Sequence, residues 1–503
     1  MHFFRNLWKT FRVSLSWNWT AVAPFIVMNI LPHPPPSAAD PPAAVIFLPD
    51  DVIIEFLTFL EVKDLMRMKC VCKSWNTIIS DPIFAKMHSK KEERTKKPHL
   101  AFLSDKSEGS GDCRAVPISR LLQEMKKSSS NLTHDDLPYY YRFNYKNCGE
   151  IVGSCNGLVC LLGCSFTGGH YVENSLSFWN PATRTKSDTL VSFLSYMKRP
   201  HHETCKPTFG YDNSTDTFKV VLLTLITDGN LVAIGKTAAR VFTLGGDNNN
   251  NNANAWRVIQ CFPIVVVPHR FCFTQCDTVY LNNSINWLIC HYKKKNLTIE
   301  QYVIVSLDLK TETYTQFLLP RSCNKELLTR PYLSPTVECF SVLMDCMCFS
   351  YDFKKTYFII WKMDEFGVEN SWTQFLKISY MNLKIDYLPQ LIPLCLSEDG
   401  DTIIFSINQA NQAILYNWRD NRVKRIKSTN MITWSLAKAY VESSISTDLL
   451  KVSPCSVIYL FEFELNRVRV QCIVSLFSYH GFDLILSLND LFFIFNLKSW
   501  FNL

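Results

Sequence analysis

Clustered charge is the first thing this chain lacks. Of its 503 residues only 19% are Asp, Glu, Lys or Arg, and 52 cationic side chains against 45 acidic ones leave a net charge of +7. Spread over that length, the excess falls far short of the concentrated basicity that grips a phosphate backbone, which excludes a nucleic-acid-binding domain. Long clean apolar runs are missing as well. The uncharged stretch Val13–Leu31 follows Arg5, Lys9 and Arg12 like a signal segment, but Ser14, Ser16, Asn18, Thr20, Pro24 and Asn29 dilute it. A spanning helix wants about 20 predominantly apolar residues. Residues 1–47, Pro-rich at their end, therefore read as a poorly ordered leader, with a membrane anchor as the alternative.

Catalytic signatures are also absent. No G-x-x-x-x-G-K-[ST], H-E-x-x-H or G-x-S-x-G occurs, and none of the nineteen cysteines forms a C-x-x-C. The pairs Cys70/Cys72, Cys346/Cys348, Cys160/Cys164 and Cys272/Cys276 have no partner histidine pair at zinc spacing. Many cysteines lie inside apolar runs such as Leu158–Leu162, as expected of buried reduced thiols in an intracellular protein. His201-His202-Glu203 sits in a polar loop, and Ser397–Thr402 reads as a hairpin turn built on Asp and Gly. No catalytic residue, metal ligand or cofactor site is assigned.

What the chain has in quantity is apolar and aromatic material. Apolar residues make up 47% and aromatics 13%, with 35 Phe and 20 Tyr. That supports a sizeable core, leans toward β structure, and fits two to four domains at roughly 100–200 residues each.

Three short helices are predicted from Leu48. Pro49 suits a first helical turn, and Asp50 and Asp51 complement the positive end of the helix dipole. Val52, Ile53, Ile54, Phe56, Leu57, Phe59 and Leu60 give the first helix a broad apolar surface. A second helix carries Val62, Leu65, Met66 and Met68. A third places Val71, Trp75, Ile78 and Ile79 on one face and stops at Asp81-Pro82. A module this small buries little by itself and wants a partner for its apolar surface. Leu48-Pro49, Ile54, Leu57, Leu60, Val62-Lys63-Asp64-Leu65, Cys70–Trp75, Ile79–Pro82 and Phe84 together resemble a plant F-box, with Glu61 where many members have Pro. The resemblance implies docking onto a Skp adaptor, which binds a cullin and a RING subunit. It makes Leu48, Pro49, Ile54, Leu57, Leu60, Val62, Leu65 and Trp75 the candidate adaptor-binding and core positions. The F-box is placed at residues 48–90. The charged run Lys90–Lys97 and the Ser-, Gly-, Asp- and Lys-rich stretch behind it read as linker and loops over 91–145.

Beyond Ile151 short apolar runs alternate with turns in two strokes. One is a brief strand after a polar turn, as at Leu158–Leu161, Ser284–Cys290, Met347–Tyr351 and Thr402–Ile407. The other is a strand, a turn and a polar return strand, with Asn180–Thr183, Asp308–Thr311 and Trp418–Asn421 in the same place. Asn286, Met347 and Ile403 mark intervals of 61 and 56 residues, close to propeller blades lengthened by loops. Five to seven blades are expected. Gly153–Val159, Trp179–Arg184, Phe209–Asp212 with Asp216–Val221, and Ala437–Ser443 resemble the F-box-associated β-propeller domain of plants, placed at 146–445. That family presents a target protein to a ligase and brings no catalytic residues. Arg419, Arg422, Lys424, Arg425 and Lys427 read as a charged edge strand. Residues 446–503 form an apolar C-terminal extension of unknown role, whose longest charge-free run, Val470–Phe482, is 13 residues.

The expected fold is multidomain: a small all-α F-box helical module followed by an all-β propeller-like domain. The expected role is substrate recognition in a Skp–cullin–F-box ubiquitin ligase, in the cytoplasm or nucleus, with the propeller holding an unknown protein target. The alternative is a propeller hydrolase or lectin-like binder whose helices pack in cis.

Overall fold

The computed structural model describes residues 49–92, four strands between 458 and 496, and most of 98–450. Within 98–450 it leaves out segments 106–109, 127–140, 167–170, 197–201, 228–236, 246–255, 265–277, 291–301, 321–338, 386–390, 408–411 and 428–431, and positions 147, 189 and 355. The chain divides into two compact units, residues 1–92 and 93–503.

Among its described residues the first unit holds four helices: α1 (Asp50–Leu57), α2 (Val62–Met68), α3 (Lys73–Ser80) and α4 (Pro82–Glu92). The carbonyl of Pro49 accepts from the amides of Val52 and Ile53, so Pro49 starts α1 without needing its own N–H. The thiol of Cys72 accepts from Trp75 N and caps α3. Asp81 is extended ahead of Pro82, ending α3, and its carboxylate accepts from Ile83 N at 2.7 Å to start α4. Leu57, Leu65, Met68, Ile79 and Phe84 make the core of the module.

The second unit is a six-bladed β-propeller of antiparallel sheets. The first blade contains β1 (Pro98–Asp105), β2 (Ser110–Pro117) and β3 (Tyr141–Lys146). Blade two contains β4 (Cys148–Cys155), β5 (Leu158–Phe166), β6 (Tyr171–Asn180), and β7 (Thr185–Lys186) and β8 (Val191–Tyr196), both paired to β6. Blade three is β9 (His202–Asp212), β10 (Thr217–Thr227), β11 (Ala238–Leu244) and β12 (Arg257–Val258). Blade four is β13 (Thr278–Leu281), β14 (Ser284–Cys290), β15 (Tyr302–Asp308) and β16 (Tyr314–Leu318). Blade five is β17 (Cys339–Leu343), β18 (Cys346–Phe353), β19 (Tyr357–Met363) and β20 (Trp372–Ser379). Blade six is β21 (Leu391–Leu396), β22 (Thr402–Ile407), β23 (Gln412–Asn417) and β24 (Arg422–Lys427). Asn286, Met347 and Ile403 fall on the second strands of blades four, five and six.

The ring is closed by β25 (Ile432–Val441), which returns to pair antiparallel with β1 as the inner strand of blade one. This corrects the reading of 91–145 as linker and loops. That stretch supplies β1, β2, most of β3 and a helix, α5 (Ile118–Lys126), whose Ile118 and Leu121 join the core between blades six and one. Beyond blade closure, two hairpins follow, β26 (Ile458–Leu465) with β27 (Val468–Ser475), and β28 (Asp483–Leu488) with β29 (Leu491–Asn496).

Why the strands are apolar throughout is clear from β15. Val303, Val305 and Leu307 pack into the core shared with blade three, whereas Tyr302 and Ile304 pack into the core shared with blade five. Alternate side chains point to opposite faces, and both faces are covered. The turns repeat too. Asn156-Gly157, Asn282-Asn283 and Met344-Asp345 each have two consecutive positive φ values, the tight hairpin conformation that matches strand twist. In the other class, Asn180, Asp212, Asp308 and Asn417 each end a strand. The residue four further on, Arg184, Asp216, Glu312 or Asn421, is left-handed.

Candidate docking surface and propeller channel

The predicted adaptor-binding positions sort by burial. Leu57, Val62 and Leu65 are fully buried, and Leu57 and Leu65 are core members. Ile54, Leu60 and Trp75 are half-buried against that core, with the Trp75 ring 6.5 Å from that of Phe56. Pro49 is exposed, and Leu48 lies outside the described residues. Val52 and Phe59, expected on the broad apolar surface of the first helix, face outward on and just after α1, as do Ile83 and Met87 on α4, from 36% to 68% exposed. Val52, Phe56 and Phe59 recur at helical spacing along one stripe, and Ile83 and Met87 are one turn apart. The signal was present in the all-round apolar character of the first helix, but only packing shows which side is left over. His88, fully buried, is held by its Nε2 at 2.8 Å from the Leu60 carbonyl and stacks on Phe84. This ties α4 to the turn between α1 and α2.

The propeller's functional geometry is its axis. The inner strands β25, β4, β9, β13, β17 and β21 surround a channel of about 150 Å³. Its wall is polar and apolar in nearly equal measure, the apolar side chains including Phe209, Val279, Tyr280, Val342, Ile392 and Leu394. Ser154, Thr208, Thr278 and Ser341 are also lining residues, and Lys438 is the one charged residue among the described residues lining it. Ser154 Oγ donates to the Ala439 carbonyl and Thr208 Oγ1 to that of Val221.

These features decide the family. The helical module at residues 47–87 matches the F-box domain, and residues 120–447 match the F-box associated beta propeller domain. The chain belongs to the F-box-associated β-propeller family. An F-box/kelch-repeat protein of Arabidopsis thaliana is 26% identical to this F-box protein over 409 residues, covering 79% of this chain and 95% of the relative. A second Arabidopsis thaliana F-box protein is 26% identical over 396 residues, covering 75% and 79%. The match to the propeller domain begins at residue 120, after β1 and β2, which complete blade one with β25.

Other residues singled out in the sequence of this F-box protein have structural places. The basic series on β24 and the turn before it is only partly solvated: Lys424 is buried, Arg425 donates to the Lys384 carbonyl, and Arg419 in the turn pairs with Asp401 at 2.7 Å. Ser397–Thr402 forms the hairpin turn joining β21 and β22, with Thr402 N bonded to Ser397 Oγ. Glu203 Oε2 accepts from Tyr196 N at 3.3 Å, and the two histidine side chains before it lie outside the described residues. Burial pushes the thiols of Cys155, Cys205 and Cys395 up, and that of Cys348 to about 12, leaving them protonated and unreactive near neutrality. Among the described residues, no three His, Cys, Asp or Glu side chains cluster as metal ligands, and no helix is long and apolar enough to cross a membrane.

Proposed function

We propose that this protein is the substrate-recognition subunit of a Skp–cullin–F-box ubiquitin ligase. The helical unit docks a Skp adaptor, and the propeller holds a protein target. The observation that carries the reading is the F-box unit itself, which fills its small core with Leu57, Leu65, Met68, Ile79 and Phe84 and still leaves Val52, Phe59, Ile83 and Met87 outside. Exposed large apolar side chains on so small a module are surface for a partner. Leu57, Val62 and Leu65 then serve docking by shaping the helices, while Pro49, Ile54, Leu60 and Trp75, only partly covered, remain available for contact. No bond chemistry is assigned to the chain. It raises the rate of ubiquitin transfer by holding target and conjugating enzyme together, which converts an encounter into a tethered reaction.

The test is co-expression of the full chain with a plant Skp adaptor, followed by size-exclusion chromatography. Wild type co-elutes, and Phe59→Glu with Ile83→Glu abolishes co-elution while the circular dichroism spectrum is unchanged. Leu57→Asp is unsuitable, because a carboxylate at a fully buried core site unfolds the module rather than its surface. Absence of any complex with the wild-type chain overturns the docking role.

A further inference from the structure

Blade five carries its charge unevenly from end to end. The β17–β18 turn holds Asp345, and the β19–β20 connection at that same end holds Asp364 and Glu365, all three exposed. Antiparallel pairing puts the β18–β19 turn at the opposite end. There the exposed charges are cationic: Lys354 in the turn and Lys377 near the close of β20. Lys377 Nζ lies 4.4 Å from the centroid of the Tyr357 ring and 5.7 Å from that of Phe353. Lys354 Nζ lies 5.7 Å from the same Phe353 centroid, so two ammonium groups gather on one aromatic floor.

Neither ammonium has a carboxylate or other hydrogen-bonding partner among the described residues. Other cations of the propeller are answered: Lys362 pairs with Asp364 at 2.6 Å and Lys219 with Asp212 at 2.9 Å. The acid next to this turn in sequence, Asp352, is buried and accepts from the Tyr380 hydroxyl at 3.0 Å. Like charges gathered without a counter-ion repel each other, and the arrangement gains when an anion arrives. An ammonium carries three N–H donors, and resting on a ring face does not saturate them. Because the rings already hold both side chains in place, less freedom is lost when that anion binds. The Tyr380 amide donates to the Thr356 carbonyl at 3.1 Å, which sets the following residue, Met381, beside the same turn, 86% exposed.

We infer that this end of blade five receives an acidic stretch of the protein target, with Lys354 and Lys377 meeting its acidic groups and Met381 covering a large apolar side chain among them. Charge complementarity selects the acidic partner, and a large apolar side chain left in water selects one with an apolar residue of its own. Two cations and a methionine are too few to track a nucleic-acid backbone. The acidic groups have two possible sources, Asp and Glu or phosphorylated Ser and Thr, and both accept from ammonium donors. The inference rests on the reading that the propeller holds a protein target. Its test uses the full chain without an adaptor, so a failure here is separate from a failure of adaptor docking.

Fluorescence anisotropy at low ionic strength measures binding of three labelled peptides, each a central leucine flanked by four glutamates, four phosphoserines or four glutamines. At least one acidic peptide binds and the glutamine peptide does not, and the tighter of the two acidic peptides names the source. Lys354→Gln with Lys377→Gln weakens that binding about tenfold, the scale of two exposed ion pairs, and added salt does the same to wild type. Met381→Ser weakens it as well. Lys310→Gln, at an exposed lysine in the β15–β16 turn of blade four, leaves it unchanged. All of these side chains are exposed, so the thermal midpoints stay at the wild-type value. The inference fails if neither acidic peptide binds, if the glutamine peptide binds equally well, or if the double lysine variant or Met381→Ser keeps wild-type affinity. It fails too if Lys310→Gln costs as much as the double variant, because the attraction is then diffuse charge and not this patch.

Discussion

Asn180 is the residue on which ring closure turns. Its carboxamide oxygen accepts from the amides of Ala182 and Thr183 and from the Tyr440 hydroxyl, shaping the turn after β6. Its Nδ2 donates to the carbonyls of Ser443 at 2.9 Å and Ile445 at 2.6 Å, in the segment that follows the closing strand. Asn180 is fully buried, so its side chain makes every one of these bonds away from water. Replacing it with Ala strands several of the partner groups, and Asn180→Ala costs roughly 3 kcal/mol or more, since each buried unpaired group costs about 1–3 kcal/mol. Denaturant unfolding monitored by tryptophan fluorescence measures this. Gly157 marks the same seam: it has φ +80, and a Cβ there would lie 2.0 Å from that of Ser443. Only glycine permits that approach.

At the scale of the element, the hairpin turns show one local solution used repeatedly. Asp308 Oδ1 accepts from Lys310 N and Thr311 N, Asp212 Oδ1 accepts from Ser214 N, and Asn417 Oδ1 accepts from Asp420 N. Threonine hydroxyls pair across three of these turns, at Thr183/Thr185, Thr215/Thr217 and Thr311/Thr313. An acceptor at the first position satisfies amides that the turn would otherwise leave open, which is why Asn and Asp recur there. Asp308→Ala removes only such exposed turn bonds and costs about 1 kcal/mol. Its unfolding free energy therefore falls less than that of Asn180→Ala, although the two residues occupy equivalent turns. Equal losses from the two variants would show that the cross-blade bonds of Asn180 contribute nothing.

For the propeller as a whole, blades are joined by apolar cores and, between blades three and four, by a charge network. Lys219 Nζ lies 2.9 Å from Asp212 Oδ2 and 3.3 Å from Glu312 Oε1, and it also donates to the Leu309 carbonyl. Arg257 bonds both oxygens of Glu312. Burial alone would raise the Asp212 carboxyl, but hydrogen bonds from Ser214 and Lys219 outweigh it and hold the group at about 2. The unfolded chain takes up that proton first as pH falls. The stabilisation is therefore fully present above roughly pH 4, the ordinary carboxylate range, and is lost as pH falls through about 2. Urea unfolding between pH 5 and 2.5 should show wild type losing stability more steeply than Asp212→Asn, which cannot titrate. Parallel profiles would assign acid sensitivity elsewhere. Lys219→Met leaves Asp212 as an unpaired buried charge and costs about 3–5 kcal/mol at neutral pH.

The order of helices then strands, the positions of the turns and the repeat on the second strands of blades four to six were determined by the sequence alone. Pro49, Asp81-Pro82, Asn156-Gly157 and the strand-ending Asp or Asn act within a few residues of where they stand, so their consequences are local and readable. Tertiary structure decided what depends on distant partners. The polar segment after residue 91 forms strands because β25, more than 300 residues later, supplies the edge that β1 needs. Its own pattern carries no sign of that pairing. Burial divided the F-box positions into the core residues Leu57 and Leu65 and the outward residues Phe59 and Ile83, since an all-round apolar helix does not say which side will be covered. The channel exists only because six inner strands, drawn from positions as far apart as β4 and β25, meet at one axis.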